Sequence, residues 1–178
     1  MTGYEDCLQT EDAGQHIIRD WLKSFGCTVV FNLNDTRGAE FQSYGDLIVK
    51  RPHSDKHELI ELKIEKTNAH GNLFIETWSN KSWFNPGWIY KSKAELLFYY
   101  FLEQDELYTM NMVDLKKFVF SVNDNGQLSA FGKYKERQQS KHSQPNLTCG
   151  LCVPIRDLLQ QPGLVRQHSP KASISLAA

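Results

Sequence analysis

Apolar and polar positions along the chain follow two different periods, and the switches between them mark out the elements. From Gly14, the residues Ile17, Ile18, Trp21, Leu22 and Phe25 recur at the spacing of one helix face. Glu11 and Asp12 fall in the first turn of that helix, where its dipole favours acids, and Gly26 follows as a C′ residue. A strand is expected at about 27–31, then a polar loop over 32–44 with Asp35, Arg37, Gly38 and Glu40. Residues 44–49 and 58–64 read as two short strands joined by a polar turn, and 73–77 as a third. The stretch 78–90 sets Trp78, Trp83, Phe84, Trp88 and Tyr90 among Asn, Ser, Lys and Gly and reads as a loop. Ser92 and Glu95 match a capping box ahead of Leu96, Leu97, Tyr100 and Phe101, which predicts a second helix from Ser92.

Later elements are shorter. A strand is expected at 107–110, a helix at 112–118 capped by Asn111, a turn at 123–126, a mobile basic loop at 133–142, a strand at 147–153 and a short helix at 155–159. Beyond Gln160 the composition turns to Gln, Ser, Pro and Ala, so a single domain over 1–160 and a disordered tail over 161–178 are expected. Strands interleaved with helices predict an α/β domain with a central mixed β-sheet flanked by helices.

Composition narrows the function. A chain of 178 residues suits one domain, and 40% hydrophobic residues suffice for a core. The formal net charge of -1 disfavours a strongly basic, non-specific nucleic-acid binder and leaves room for a local basic patch. No apolar run reaches membrane-spanning length, and 1–10 lacks the apolar centre of a signal peptide. Four cysteines do not make a disulfide scaffold, which fits a reducing, cytoplasmic setting.

The chemistry concentrates on the two strands. Glu61 and Lys63 are two apart, so they share a strand face, and the preceding strand brings Asp46 alongside. Leu59, Ile60, Leu62 and Ile64 make this strand central, where charges are costly unless something uses them. Two carboxylates suit a hard cation such as Mg²⁺, with a backbone carbonyl near Leu62 and waters completing the shell. Lys63 would then hold a water or stabilise charge on a phosphate.

Gly45-Asp46 followed by Glu61-Leu62-Lys63, after a helix ending at Gly26 and a strand, resembles the PD-(D/E)XK superfamily of restriction endonuclease-like nucleases. The likeness spans roughly residues 11–110. The stretches Gly87-Trp88-Ile89 and Ser92–Leu97 are similar to its small phage and mobile-element members. This resemblance implies a restriction endonuclease-like core and a deoxyribonuclease, endo- or exonucleolytic, dependent on Mg²⁺ or Mn²⁺. Asp46 and Glu61 would bind the metal and Lys63 would be the catalytic lysine. DNA would be the substrate, with a structure or an end recognised. The setting would be a bacterial or phage-infected cytoplasm, with a homodimer or a replication or recombination protein as partner. Two departures stand out. Gly45 occupies the place of the family's proline. The first helix offers Gln15, with Glu11 one turn earlier, in place of a glutamate, so Gln15 is the expected fourth catalytic residue. A non-catalytic member of the same fold, binding nucleic acid or a protein, is the alternative, and the intact Asp46, Glu61 and Lys63 argue against it.

Other residues receive weaker roles. Lys81, Lys91 and Lys93 are candidate phosphate contacts beside the aromatic run, with Trp88 expected in the core. Lys133, Lys135, Arg137 and Lys141 form a second basic cluster, read as a solvated loop. Glu76 reads as an outward strand residue. Cys149 and Cys152 read as strand residues, with zinc or redox chemistry as the competing roles. His53 and His57 read as a solvated turn, and His16 as a surface residue.

Overall fold

The computed structural model describes residues 3–32, 44–122, 128–129, 134–138 and 147–177. Most of the loop expected after the first strand, the turn at 123–126, and Lys133, Lys141 and His142 lie outside the described residues. The main sheet has six strands: β1 (Thr28–Asn32), β2 (Leu47–Lys50), β3 (His57–Glu65), β6 (Leu96–Phe101), β7 (Glu106–Asn111) and β12 (Val165–His168), in that order across the sheet. β3 and β6 run parallel, and every other neighbouring pair is antiparallel. The sheet is therefore mixed. A second sheet joins β10 (Glu136–Gln138), β11 (Cys149–Pro154), β4 (Asn72–Asn80) and β5 (Asn85–Pro86), and a small hairpin joins β8 (Ser121–Val122) to β9 (Leu128–Ser129). The helices are α1 (Gly3–Ser24), α2 (Trp88–Lys91), α3 (Met112–Val119), α4 (Ile155–Leu159) and α5 (Pro170–Ala177). Among the described residues, no helix is long and apolar enough to cross a membrane.

Two cores sit on opposite faces of the main sheet. On one, Ile18, Trp21 and Leu22 of α1 pack against Leu47, Val49, Ile60, Leu62, Phe98, Tyr100 and Leu107. On the other, Leu97, Tyr99, Phe101, Tyr108 and Met110 meet Leu73, Ile75, Leu151 and Val153 of the second sheet, with Ile89, Leu115 and Leu158 from the short helices. Each fully buried Leu or Ile contributes about 1.5–3 kcal/mol, so both layers are held mainly by burial.

Helix α1 begins at Gly3, two turns before the expected start. Its extra residues are mostly exposed, so they carry no apolar period, and Asp6 is tied to Lys66 instead. Gly26 ends it at φ +73°, as expected. Asn111 caps α3 by accepting hydrogen bonds from Val113 and Asp114 amides.

Three expectations fail, the first in the stretch read as a mobile basic loop, where Glu136–Gln138 pair with β11 as strand β10. The segment expected as a helix from Ser92 is strand β6, whose last five residues are all buried. It lies between β3 and β7 with layers on both faces, so a continuous apolar run replaces any alternation. The apparent capping box is a local turn in which the Ser92 hydroxyl accepts from the Ala94 amide. The segment expected as a disordered tail supplies β12 and α5. Asp105, in the β6–β7 turn, accepts hydrogen bonds from the Lys171 and Ala172 amides and so caps α5 from a distance. Ile174 packs into the α1-side core. Neither tie is visible in local composition.

Candidate metal and phosphate site

Asp46, Glu61 and Lys63 come together as expected. The strand pleat sends Ile60, Leu62 and Ile64 toward α1 and Glu61 and Lys63 to the opposite face. Asp46 directly precedes β2 and is fixed by two backbone bonds. Its amide donates to the Ile60 carbonyl at 2.8 Å, and its Oδ2 accepts from the Leu62 amide at 2.7 Å. Gly45 makes this approach possible. Its φ is +104°, and a Cβ there would lie 2.7 Å from the Ile60 carbonyl oxygen. A proline, locked near φ -65°, cannot adopt that conformation. The backbone before Asp46 thus requires glycine and excludes proline.

Lys63 Nζ lies 2.6 Å from Glu61 Oε1 and 4.0 Å from Asp46 Oδ2. Glu61 is only 4% exposed. Burial pushes the Asp46 carboxyl up to about 6. Lys63 and the Leu62 amide oppose that rise, and Glu61 and Glu11 add to it. For Lys63, burial favours loss of the proton, but Asp46 and Glu61 outweigh it and hold the ammonium above its ordinary pKa. The ammonium thus serves as counter-ion to two carboxylates. It also lies 5.6 Å from the centre of the buried Trp88 ring, a cation–π contact.

The remaining candidates divide. Gln15 is half-buried on α1 and donates to Glu11 at 3.4 Å. The charge of Glu11, one turn earlier, is felt at Asp46. Glu76, read as outward-facing, is half-buried and close enough for its charge to act on Lys63. Lys93 is exposed and sits 4.6 Å above the Tyr44 ring, two residues before Asp46. Lys91 reaches Ser79 and Asn85, whereas Lys81 is engaged by Glu136. Trp88 is in the core, as expected, while Trp83 is 77% exposed.

Lys116 was not singled out in the sequence. It lies on α3, donates to the Ser92 carbonyl at 3.5 Å, and is near enough to Glu61 to feel its charge. Burial lowers its pKa, and Glu61 opposes that. The available signal was its place four residues after Met112 and next to Leu115, on the margin of a buried helix face.

Cys149 and Cys152 lie on β11, the first buried and the second exposed. His16 lies 3.6 Å from Asp12 on the exposed flank of α1. His53 takes φ +60° in the β2–β3 turn, and His57 begins β3. Among the described residues, no cluster of three or more His, Cys, Asp or Glu side chains could hold a metal. The centre therefore offers two carboxylates rather than a full protein cage. A separate cavity of about 380 Å³ lies on the α1 side, bordered by Trp21, Arg51, Arg166 and His168, and does not include the carboxylate pair. In comparisons with known proteins, no family model, curated protein or solved structure matches the chain.

Proposed function

We propose that this chain is a metal-dependent deoxyribonuclease with a restriction endonuclease-like core. The observation that carries the reading is the trio of buried Glu61 and half-buried Lys63 on the polar face of a central strand, with half-buried Asp46 beside them. A structural ion pair needs one carboxylate. Burial raises the Asp46 pKa and the second carboxylate adds to that rise, and such a perturbed cluster beside a lysine supports a functional role.

The donor set fits Mg²⁺ or Mn²⁺. Asp46 and Glu61 are hard oxygen ligands, and Mg²⁺ keeps several waters rather than demanding an all-protein shell. When bound, the cation supplies Lewis-acid polarisation of a phosphate and a more acidic water. The protein's own contribution is positional. The Ile60 carbonyl and Leu62 amide hold Asp46 through its amide and Oδ2, and among the described residues no hydrogen bond takes its other carboxylate oxygen. Lys63 carries a positive charge beside both carboxylates and donates hydrogen bonds to an incoming phosphate or water. As charge grows on the phosphate, an ammonium already in place costs no reorganisation. Trp88 forms an apolar wall that limits water around it. Lys116 adds a second cation near Glu61.

The test incubates plasmid, linear duplex and branched DNA with wild type and Lys63→Ala in Mg²⁺ or Mn²⁺. Cleavage by wild type that is lost in the variant is the expected result. Binding without cleavage would instead support a non-catalytic nucleic-acid-binding protein. Neither binding nor cleavage would overturn both.

A further inference from the structure

We propose that Trp83 and Phe84, at the tip of the β4–β5 hairpin, form a stacking platform for unpaired bases of DNA. This deepens the nuclease reading and rests on it for where the cut bond lies. The two rings are 77% and 81% exposed, on consecutive residues of a tight turn. Single exposed apolar side chains are ordinary, but this pair is held out by a built support. Buried Asn80 accepts from the Trp83 amide, and the Phe84 amide donates to the Lys81 carbonyl. Lys81 in turn donates its amide to the Leu147 carbonyl at 2.9 Å, and Ser79 bonds the Pro86 carbonyl at 3.0 Å. Phe84 itself takes φ +51°, a left-handed conformation that a bulky residue adopts rarely and at a cost. The turn holds an aromatic ring in solvent where glycine or asparagine would fit more easily.

Charge points to the occupant. Residues 78–93 contain Lys81, Lys91 and Lys93 and no Asp or Glu, in a chain of net charge -1. Lys81 is paired with Glu136, but Lys91 and Lys93 are exposed on the path back toward Asp46. Aromatic faces with interleaved lysines match bases with interleaved phosphates. The platform is also coupled to the candidate centre. Gly87 packs so closely on β4 that a Cβ would lie 2.2 Å from the Glu76 carbonyl oxygen, and Trp88 follows, under Lys63. Trp88 lies four residue steps after Phe84, a reach of at most about 14 Å. A single strand covers that distance in a few nucleotides. Bases held on the platform would place a phosphate of the same strand at Asp46 and Glu61, giving a preference for single-stranded ends or forks.

The experiment measures fluorescence anisotropy of labelled single-stranded, forked and blunt duplex DNA in EDTA, where no cleavage occurs. Wild type is compared with Trp83→Ala, Phe84→Gly and the double variant, with Trp83→Phe as the conservative control and thermal melting as the check on folding. The expected result is a loss of about 5- to 150-fold in affinity for forked and single-stranded DNA per ring removed, with blunt duplex affinity little changed and Trp83→Phe close to wild type. Equal affinity of wild type and double variant for forked DNA would overturn the proposal, as would absence of DNA binding. So would ring-dependent binding to anionic phospholipid vesicles without ring-dependent binding to DNA. Ring-dependent fork binding by a protein that never cleaves would keep this inference and remove the nuclease reading. Cleavage with ring-independent fork binding would do the reverse.

Discussion

The two faces of β3 differ in what holds them, although the residues alternate along one strand. Ile60 and Leu62 face α1 and are almost fully buried among apolar neighbours. Glu61 and Lys63 face the other way, alongside Asp46, and are held by charge. The first face is stabilised by loss of apolar surface to water, which depends little on pH or divalent ions. The second is a balance between two carboxylates and one ammonium with burial opposing them all, so protons and cations should change it. The proposed function rests on the second.

The largest expected effect breaks the charged face. Lys63→Ala should reduce cleavage by about 10²–10⁴-fold, read from initial rates with saturating Mg²⁺ and with circular dichroism confirming the fold. A rate within a few-fold of wild type would reduce Lys63 to a structural counter-ion. On the apolar face, Leu62→Ala or Ile60→Ala should cost about 2–5 kcal/mol of stability, measured by urea unfolding. The loss should be the same with and without Mg²⁺ and from pH 5 to 8. A loss that varied with Mg²⁺ would show that the two faces are coupled.

Asp46→Asn sharpens the contrast through pH. The folded Asp46 titrates at about 6 against 3.8 for an ordinary aspartate, so the folded state holds this proton more tightly than the unfolded chain. Below about pH 4 the carboxyl is neutral in both states and costs nothing. The cost appears as pH rises from 4 to 6 and is complete above 6. Removing the charge should therefore stabilise the metal-free protein by about 1–3 kcal/mol at pH 7–8, with the gain gone near pH 4. Saturating Mg²⁺ should reverse the order, since wild type gains binding energy that the variant lacks. Titration calorimetry giving equal Mg²⁺ affinity for both proteins would remove Asp46 from the metal site.

The smallest effect is a control on the surface. Arg51 forms a close pair with Glu58 at 2.8 Å, but its side chain is 59% exposed. Arg51→Ala should change stability by about 0–1 kcal/mol and cleavage not at all. A larger stability loss, read from the same urea titration, would show that exposure understates this pair.

The local patterns that proved legible were those whose cause is local. The 3.6-residue stripe of α1, the αL glycine at Gly26, the Asn111 cap and the alternation of Glu61 and Lys63 against Ile60 and Leu62 each depend on neighbours in sequence. These were enough to bring Asp46, Glu61 and Lys63 into one site. Tertiary structure decided what depends on distant partners. Leu96–Phe101 became a strand because layers cover both its faces, which removes the alternation that would have identified it. The segment after Gln160 became ordered because Asp105 and the α1-side core receive it. Lys116 reached Glu61, and Trp83 and Trp88 parted into solvent and core, through packing that no window of sequence contains. An amphipathic period reports which side of an element is apolar. What lies against that side is set by chain closure over tens of residues, and there the aromatic and charged side chains acquire their separate roles.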